Sequence, residues 1–372
     1  MKTLNYITYQ TFPASTANSL QTISHLNHFS LKGWTVRLFF PLREVGSTDN
    51  VDELNSFYQM DRNIEVNGIK HPYPFGKIRV LAKFMYSISH YLWCRNFIKN
   101  GLNLSSQEFY MTRSDWIAYY LAKSGNNVIF EIHNYSRTRN YVLRKISKFE
   151  NIKLIFLTEE LRNSFSDIPS RYEITPSGVD ESLFREVSNK DLDVVFVGNL
   201  KRFGQSRNID FLIRAFSEDN KLQNIKLTVV GGPSEEVERL KKLLNKDSTN
   251  IDFVGSLNRK ETIAYVQRAK VGVLINSSAS VHSLKYTSPL KYFEYLYADL
   301  NVVGVDFESH HELPESKNIY FYKENDTLDF STKIISALEN EPKAFDKTKI
   351  TMSTRVGKII HLYNLNFIFL YR

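Results

Sequence analysis

Several things are scarce or missing in this chain, and each absence narrows the field. Of 372 residues only Cys94 is a cysteine, which excludes an internal disulfide framework and a cysteine-rich zinc site and makes a reducing cytoplasm the simplest setting. No run of about 18 apolar residues occurs, and the opening MKTLNYITYQTF has no continuous apolar stretch, so neither a spanning helix nor a secretory signal is expected. There is no G-x-x-x-x-G-K-[ST] loop, no G-x-S-x-G elbow and no G-x-G-x-x-G fingerprint, so nicotinamide chemistry is not expected. Acidic residues vanish between Glu65 and Glu108, where Lys70, Lys77, Arg79, Lys83, Arg95 and Lys99 stand among Tyr73, Phe75, Phe84, Tyr86, Tyr91, Trp93 and Phe97. Such a mixture suits an anionic membrane surface over 70–99 and equally suits ordinary helices with solvated lysines; nucleic acid is the least favoured partner.

What is present describes a globular protein of two domains. The residues are 42% hydrophobic and 24% charged, with a net charge of +8, and the length is about twice that of a typical domain. Thr3 to Thr8 reads as a strand running into the loop TFPASTANS, then a helix ending near Lys32-Gly33, then a strand from Trp34 to Phe40. Ser15, Thr16 and Ser19 lie at that strand's carboxyl end, where α/β folds place ligands, although a hydroxyl there serves equally well as a helix cap. Residues 43–67 read as an irregular insertion, and helical spacing covers roughly 77–99. Strands are expected at Glu108 to Thr112 and Val128 to Ile132, the latter leading to a polar tip of Glu131, His133, Asn134 and Arg137. A third follows at Ile152 to Leu157. TPSGVDESLF then breaks the rhythm as a linker over 177–190.

The alternation restarts in the second half with strands near Asp193 to Val197, Lys226 to Val230, Ile251 to Val254, Val271 to Ile275 and Val302 to Val305. Short connections between strands and helices predict parallel sheets in both halves. Loops leaving strand ends would then converge, among them Gly198 to Asn208, which carries Lys201, Arg202 and Arg207. SPLKYFEY begins with Ser288 as an expected N-cap and Pro289 in the first helical position, and puts Lys291 in the first turn and Glu294 one turn further. A helix N-terminus with such cations favours a phosphate, and Glu294 can accept hydrogen bonds from hydroxyl groups. Leu290, Phe293 and Tyr297 form the expected apolar face. His310-His311-Glu312 hints at a metal only weakly, since adjacent side chains diverge.

The ordered set SGVD (Ser177 to Asp180), VGNL (Val197 to Leu200), VVGGP (Val229 to Pro233), FVGSL (Phe253 to Leu257) and SPLKYFEY (Ser288 to Tyr295) resembles family 4 of the retaining glycosyltransferases. The resemblance implies the GT-B fold, two Rossmann-like α/β domains facing a cleft. An acceptor domain would span 1–176 and a nucleotide-sugar domain 191–350, with a helix over 351–372 returning to the first. It further implies a nucleotide-diphospho-sugar donor, no metal and no other cofactor. Glu294 matches the second glutamate of the family's E-x(7)-E motif, which holds the donor ribose. Arg207 falls at a diphosphate-binding position, with Lys201 or Arg202 as the second cation. Ser288 and Leu290 match main-chain positions that cap the phosphates, and Gly198, Gly231, Gly255 and Leu257 match loops where the main chain approaches the donor. His133 resembles the histidine beside the donor sugar. Three departures stand out: Tyr286 replaces the first glutamate, Asn199 replaces a usual arginine, and Pro13-Ala14-Ser15 replaces a glycine-rich loop. The expected activity is sugar transfer to a lipid-linked or polysaccharide acceptor at the cytoplasmic membrane face. A catalytically silent nucleotide-sugar-binding partner and a nucleotide-sugar 2-epimerase are the alternatives.

Overall fold

The computed structural model describes residues 2–73, 82–101, 103–105, 107–186, 189–202, 205–206, 208–244 and 249–365, without the side chains of 82, 83, 202, 205 and 206. The chain forms two compact units, Met1–Thr175 with Val356–Arg372, and Pro176–Arg355. In the first unit, β1 (Thr3–Ile7), β2 (Thr35–Leu42), β3 (Glu65–Lys70), β4 (Phe109–Thr112), β5 (Val128–Ile132), β6 (Ile152–Phe156) and β7 (Tyr172–Ile174) form one sheet. Its order is β3-β2-β1-β4-β5-β6-β7, and every pairing is parallel. Strands β4, β5 and β6 are buried throughout, as a parallel sheet covered on both faces requires. The covering helices are α1 (Ala17–Leu31), α2 (Val51–Tyr58), α3 (Ala82–Asn96), α4 (Asp115–Lys123), α5 (Arg137–Ile146) and α6 (Glu159–Asn163). Thr16, Asn50, Ser136 and Thr158 cap α1, α2, α5 and α6 by accepting from backbone N–H groups, each a local sequence signal.

The second unit repeats the plan. Strands β8 (Leu192–Val197), β11 (Leu227–Val230), β12 (Ile251–Gly255), β13 (Ala269–Leu274), β14 (Asn301–Val305) and β15 (Ile319–Tyr322) form a parallel sheet of order β12-β11-β8-β13-β14-β15. A small antiparallel hairpin, β9 (Lys201–Arg202) and β10 (Gln205–Ser206), stands after β8. Helices α7 (Ile209–Glu218), α8 (Ser234–Lys241), α9 (Arg259–Arg268), α10 (Val281–Lys285), α11 (Leu290–Tyr297), α12 (Glu308–His311) and α13 (Thr327–Glu339) surround the sheet. Along β8, Val194 and Phe196 point into one core and Val195 and Val197 into the other, so every position of DVVFV after the aspartate is apolar for a reason. The last helix, α14 (Met352–Asn364), ends in the first unit, where Tyr363 packs tilted against Phe109 and edge-on against Trp34 and Lys153 Nζ donates to the Leu362 carbonyl.

Three expectations change, and part of another lies outside the described residues. Residues 43–67 are not irregular: α2 buries Leu54 and Tyr58, and β3 is an edge strand whose single neighbour demands no continuous apolar run. The stretch from Ser177 to Asp180 is packed rather than loose, with Val179 bridged in parallel to Thr351 and buried in the second unit's core. Part of the basic aromatic stretch, 74–81, lies outside the described residues. Finally, α11 starts at Leu290 with Pro289 at the N-cap and no side-chain cap. Ser288 Oγ accepts instead from Ser177 N at 3.0 Å, while Ser177 Oγ donates to the Ser288 carbonyl at 2.9 Å. The helix buries Tyr292, Phe293, Tyr295 and Leu296 rather than one stripe, because it packs on β13 and β14 and against α9.

Gly272 on β13 permits that packing. A Cβ added there would lie 2.4 Å from the Tyr295 ring, and neither the strand nor a buried tyrosine on a packed helix can yield by that much. Gly272→Ala is therefore expected to cost about 1–3 kcal/mol, lowering the apparent melting temperature of the second unit by roughly 2–10 °C. Scanning calorimetry with an unchanged transition would show that α11 is not seated this way.

Candidate active site

Both sheets reverse strand order once, at β1/β4 and at β8/β13, and the crevice outside the carboxyl ends of such strands is where α/β folds bind ligands. In the second unit three of these ends are glycines held together by backbone bonds. Gly198 N donates to Val230 O at 2.9 Å, Gly231 N to Gly255 O at 2.8 Å, and Leu200 N to Gly232 O at 3.0 Å. Gly231 has φ +155°, and a Cβ on it would stand 2.0 Å from the Gly198 carbonyl oxygen, so only glycine allows the two loops to meet. The main chain is thus bare above β8, β11 and β12. Leu257, just beyond, packs its side chain against the core beneath α11.

Helix α11 arrives beside this floor. Tyr295 lies over Gly272, and its hydroxyl accepts from Val197 N at 3.2 Å, tying the helix to the end of β8. One turn earlier, Lys291 Nζ sits 4.1 Å from the centre of the Phe196 ring, a cation–π contact worth about 0.5–2 kcal/mol. The opening N–H groups of a helix have no intrahelical partners, and here no side chain caps them, which suits an anion.

Glu294 is almost completely buried, and its Oε1 accepts from Arg259 Nη2 at 2.5 Å. Burial disfavours the charge on Arg259, but the Glu294 carboxylate, with Asp180 adding to it, more than offsets this and raises its pKa. Removing either partner of such a pair costs about 3–5 kcal/mol because the other charge stays behind unpaired. Arg259 was not expected from the sequence. It is the first residue of α9, and the only local signal is the Asn258/Glu261 capping box that starts the helix.

The hairpin cations differ from one another. Lys201 Nζ lies 2.6 Å from Oε2 of the buried Glu236, which also binds Arg239, itself paired with Asp210. The side chain of Arg202 and all of Arg207 lie outside the described residues. Tyr286 stands at the carboxyl end of α10, half-buried, with its N–H bonded to His282 O at 3.1 Å. His310 and His311 do not converge: His310 Nδ1 donates to the Val305 carbonyl and His311 Nε2 meets Asp306 Oδ1, at 2.8 and 2.6 Å.

In the first unit Ser15 is exposed, while Thr16 and Ser19 use their hydroxyls at the start of α1. His133 follows β5, and its Nε2 lies 2.7 Å from Oε1 of the fully buried Glu131. Glu131 in turn accepts from Arg113 Nε at 3.0 Å, and Arg113 reaches the Asn18 carbonyl at 3.2 Å, spanning the β1/β4 reversal. Sequence reasoning picked Glu131 and His133 but missed Arg113. A charged residue directly after the buried strand FYMT is the signal that marks it. Arg139 rather than Arg137 organises the tip, binding Asp115 at 2.6 Å and Asn134 O at 2.8 Å.

Beside this network, His90 stacks on Tyr9 at 4.5 Å and its Nε2 lies 2.6 Å from Ser114 Oγ, while the Tyr9 hydroxyl meets His71 Nε2 at 2.7 Å. Burial, with the charges of Arg43 and Arg139 nearby, pushes His90 down to about 3, and burial pushes His310 down to about 4. Both rings are neutral when folded, yet take up a proton below about 6.5 when unfolded. Their contribution to stability is complete above that pH and is lost as the pH falls through about 4 to 3. Urea titrations between pH 7 and 4.5 are expected to show a falling midpoint, and the slope should be shallower in His90→Gln and His310→Gln. An equal slope in the variants would remove the assignment.

Comparison with known proteins follows the same lines. Residues 191–340, most of the second unit, match the model of the family described as glycosyl transferases group 1. No curated protein matches the chain. Among solved structures, sucrose-phosphate synthase from Thermosynechococcus elongatus superposes with a TM-score of 0.68 at 16% identity, covering 99% of this chain and 100% of that one. Anabaena HepE in complex with UDP and glucose gives 0.62 at 12% identity, with 98% of each chain covered. A mutant of S. aureus TarM in complex with Fondaparinux, alpha-GlcNAc-glycerol and UDP gives 0.68 at 10% identity, covering 98% of this chain and 100% of that one. The chain therefore has the GT-B fold, with two Rossmann-like parallel-sheet units, and the second of them matches the group 1 glycosyl transferase model across residues 191–340.

Proposed function

We propose that this protein is a retaining glycosyltransferase of family 4 that moves a sugar from a nucleotide-diphospho-sugar to a lipid-linked or polysaccharide acceptor in cell-envelope glycan synthesis. The observation that carries this reading is the buried carboxylate of Glu294, one turn into a helix that opens onto the glycine-lined ends of β8, β11 and β12. Glu294 takes the ribose hydroxyls, and the N-terminus of α11 with Ser288, Leu290 and Lys291 takes the diphosphate. Arg202 and Arg207 are assigned the remaining positive charge on that diphosphate, with Lys201 as a further cation. The main chain at Gly198, Gly231 and Gly255 and the loop at Leu257 approach the donor. The match of 191–340 to group 1 glycosyl transferases supports the donor role of this unit. The presence of UDP in solved HepE and TarM structures supports the donor class.

Loss of a nucleoside diphosphate builds negative charge on its terminal phosphate. Prearranged cations and helix N–H groups stabilise that charge as it develops, without a metal in this reading. The acceptor hydroxyl attacks from the face the leaving group departs, and the leaving phosphate oxygen takes its proton, so no protein nucleophile is needed. Tyr286 stands where a carboxylate would contact the donor sugar, and sugar selectivity is assigned to that position. The first unit takes the acceptor, and its Ser15 and His133, at strand carboxyl ends, are assigned to the donor, His133 beside the donor sugar. Work on a lipid-linked acceptor would put the protein at the cytoplasmic face of a membrane. Exposed Phe84, Tyr86 and Ile88 on the basic helix α3 support a peripheral contact. No helix among the described residues is long and apolar enough to cross a bilayer.

Three outcomes are expected. Calorimetry with nucleoside diphosphates should find affinity in the wild type and a loss of about tenfold or more in Glu294→Ala and in Arg207→Ala. The wild type should also release nucleoside diphosphate from its donor, with the product anomer matching the donor's by NMR. Unchanged affinity in both variants would remove the site, and binding without turnover on any offered acceptor would favour a silent binding partner. At low salt the protein should co-float with liposomes containing anionic lipid but not with neutral ones; failure to co-float would sink the membrane contact.

A further inference from the structure

Arg259 and Glu294 stand on separate elements that are each locked. Arg259 is the first residue of α9, whose start is fixed by a reciprocal cap: Asn258 Oδ1 accepts from Glu261 N at 2.9 Å and Glu261 Oε2 accepts from Asn258 N at 3.1 Å. Glu294 lies next to Tyr295, the residue that seats α11 on Gly272. The two helices pack on each other, so the 2.5 Å contact between Nη2 and Oε1 joins two rigid parts. The side chains of Arg259 and Glu294 are 16% and 4% exposed, too little for water to replace the contact.

A carboxylate has two oxygens and about four accepting positions, and a guanidinium presents its donors in a plane. Arg259 occupies Oε1, and among the described residues no hydrogen bond reaches Glu294 Oε2. The result is a buried carboxylate fixed in orientation by a paired guanidinium, with one oxygen left to accept. A ligand that carries hydroxyl hydrogens satisfies that oxygen. A ribose diol donates twice where a 2′-deoxyribose donates once.

We infer that Arg259 is a positioning residue for nucleotide recognition: its guanidinium aims Glu294 so that the free oxygen meets the ribose hydroxyls, and the pair thereby sets a preference for ribonucleotides over 2′-deoxyribonucleotides. This rests on the donor reading given under Proposed function. Arg259 acts through Glu294 and does not itself touch the sugar.

The test uses the full chain and the diphosphates UDP, ADP and GDP with their 2′-deoxy counterparts. Calorimetry on the wild type is expected to show the ribo form of the accepted base bound about tenfold more tightly than the deoxy form. In Arg259→Gln that ratio should fall to about twofold while affinity for the deoxy form moves by less than about threefold; Arg259→Lys, which keeps a cation, should fall between. In a Glu294→Gln background Arg259→Gln should change the ratio no further, since the two act as a unit. A ratio kept at the wild-type value in Arg259→Gln, or a parallel loss of both affinities, would overturn the inference. So would an equal effect of Arg259→Gln in the Glu294→Gln background. Should Arg259→Gln not fold, Arg259→Lys decides, because a wild-type ratio there overturns the inference and a reduced one supports it. A wild type that binds diphosphates without preferring ribose overturns the inference alone, whereas one that binds none of them removes the donor reading as well.

Discussion

The ring of Tyr295 lies where Gly272 has no side chain, and the placement of the candidate site depends on that contact. Moving α11 outward by the width of one methyl group would lift Glu294 away from Arg259, Lys291 away from Phe196 and the Tyr295 hydroxyl away from Val197 N. These contacts tie one short helix to neighbouring elements. An isolated eight-residue helix is not stable in water, so its geometry comes entirely from what it packs against. A site of this kind can be exact only because the sheet below it is close-packed.

A second theme is the pairing of buried charge. Glu294 with Arg259, Glu236 with Lys201 and Arg239, and Glu131 with Arg113 and His133 are carboxylates almost wholly removed from water, each with a cation or a ring nitrogen close by. Taking such groups out of water is unfavourable, and apolar residues of the same volume would serve stability at least as well. All three lie on or beside elements that leave the carboxyl ends of strands, where α/β folds bind ligands. The pairs hold charges in fixed places before any ligand arrives.

Much of this was legible in the residues. The βα alternation placed five of the six strands of the second unit's parallel sheet within one or two residues, because both-face burial demands unbroken apolar runs such as VVFV and VGVLI, and it missed β15. Edge elements were harder to read. EVNGIK pairs on one side only and carries exposed polar residues, so β3 looked like loop, and α2 before it has only two buried residues. The cap of α11 shifted by one residue because Ser288, a strong N-cap by composition, is engaged by Ser177, which is 111 positions away in the chain. Helix periodicity also misjudged α11: a single stripe is the pattern of a surface helix, and this one is enclosed by the sheet and by α9.

The sequence by itself determined the two parallel sheets and the bare glycine ends at 198, 231 and 255, and it singled out Glu294 and His133 as candidates. Apolar runs, strand-end glycines and turn signals are local properties, and local properties are written in order along the chain. Only the tertiary structure decided which charges meet. It paired Glu294 with Arg259 across 35 residues, Lys201 with Glu236 and Glu131 with Arg113, and it set Tyr295 against Gly272. Such pairings depend on how helices pack on a twisted sheet to fractions of an ångström, and no spacing in the sequence encodes that distance.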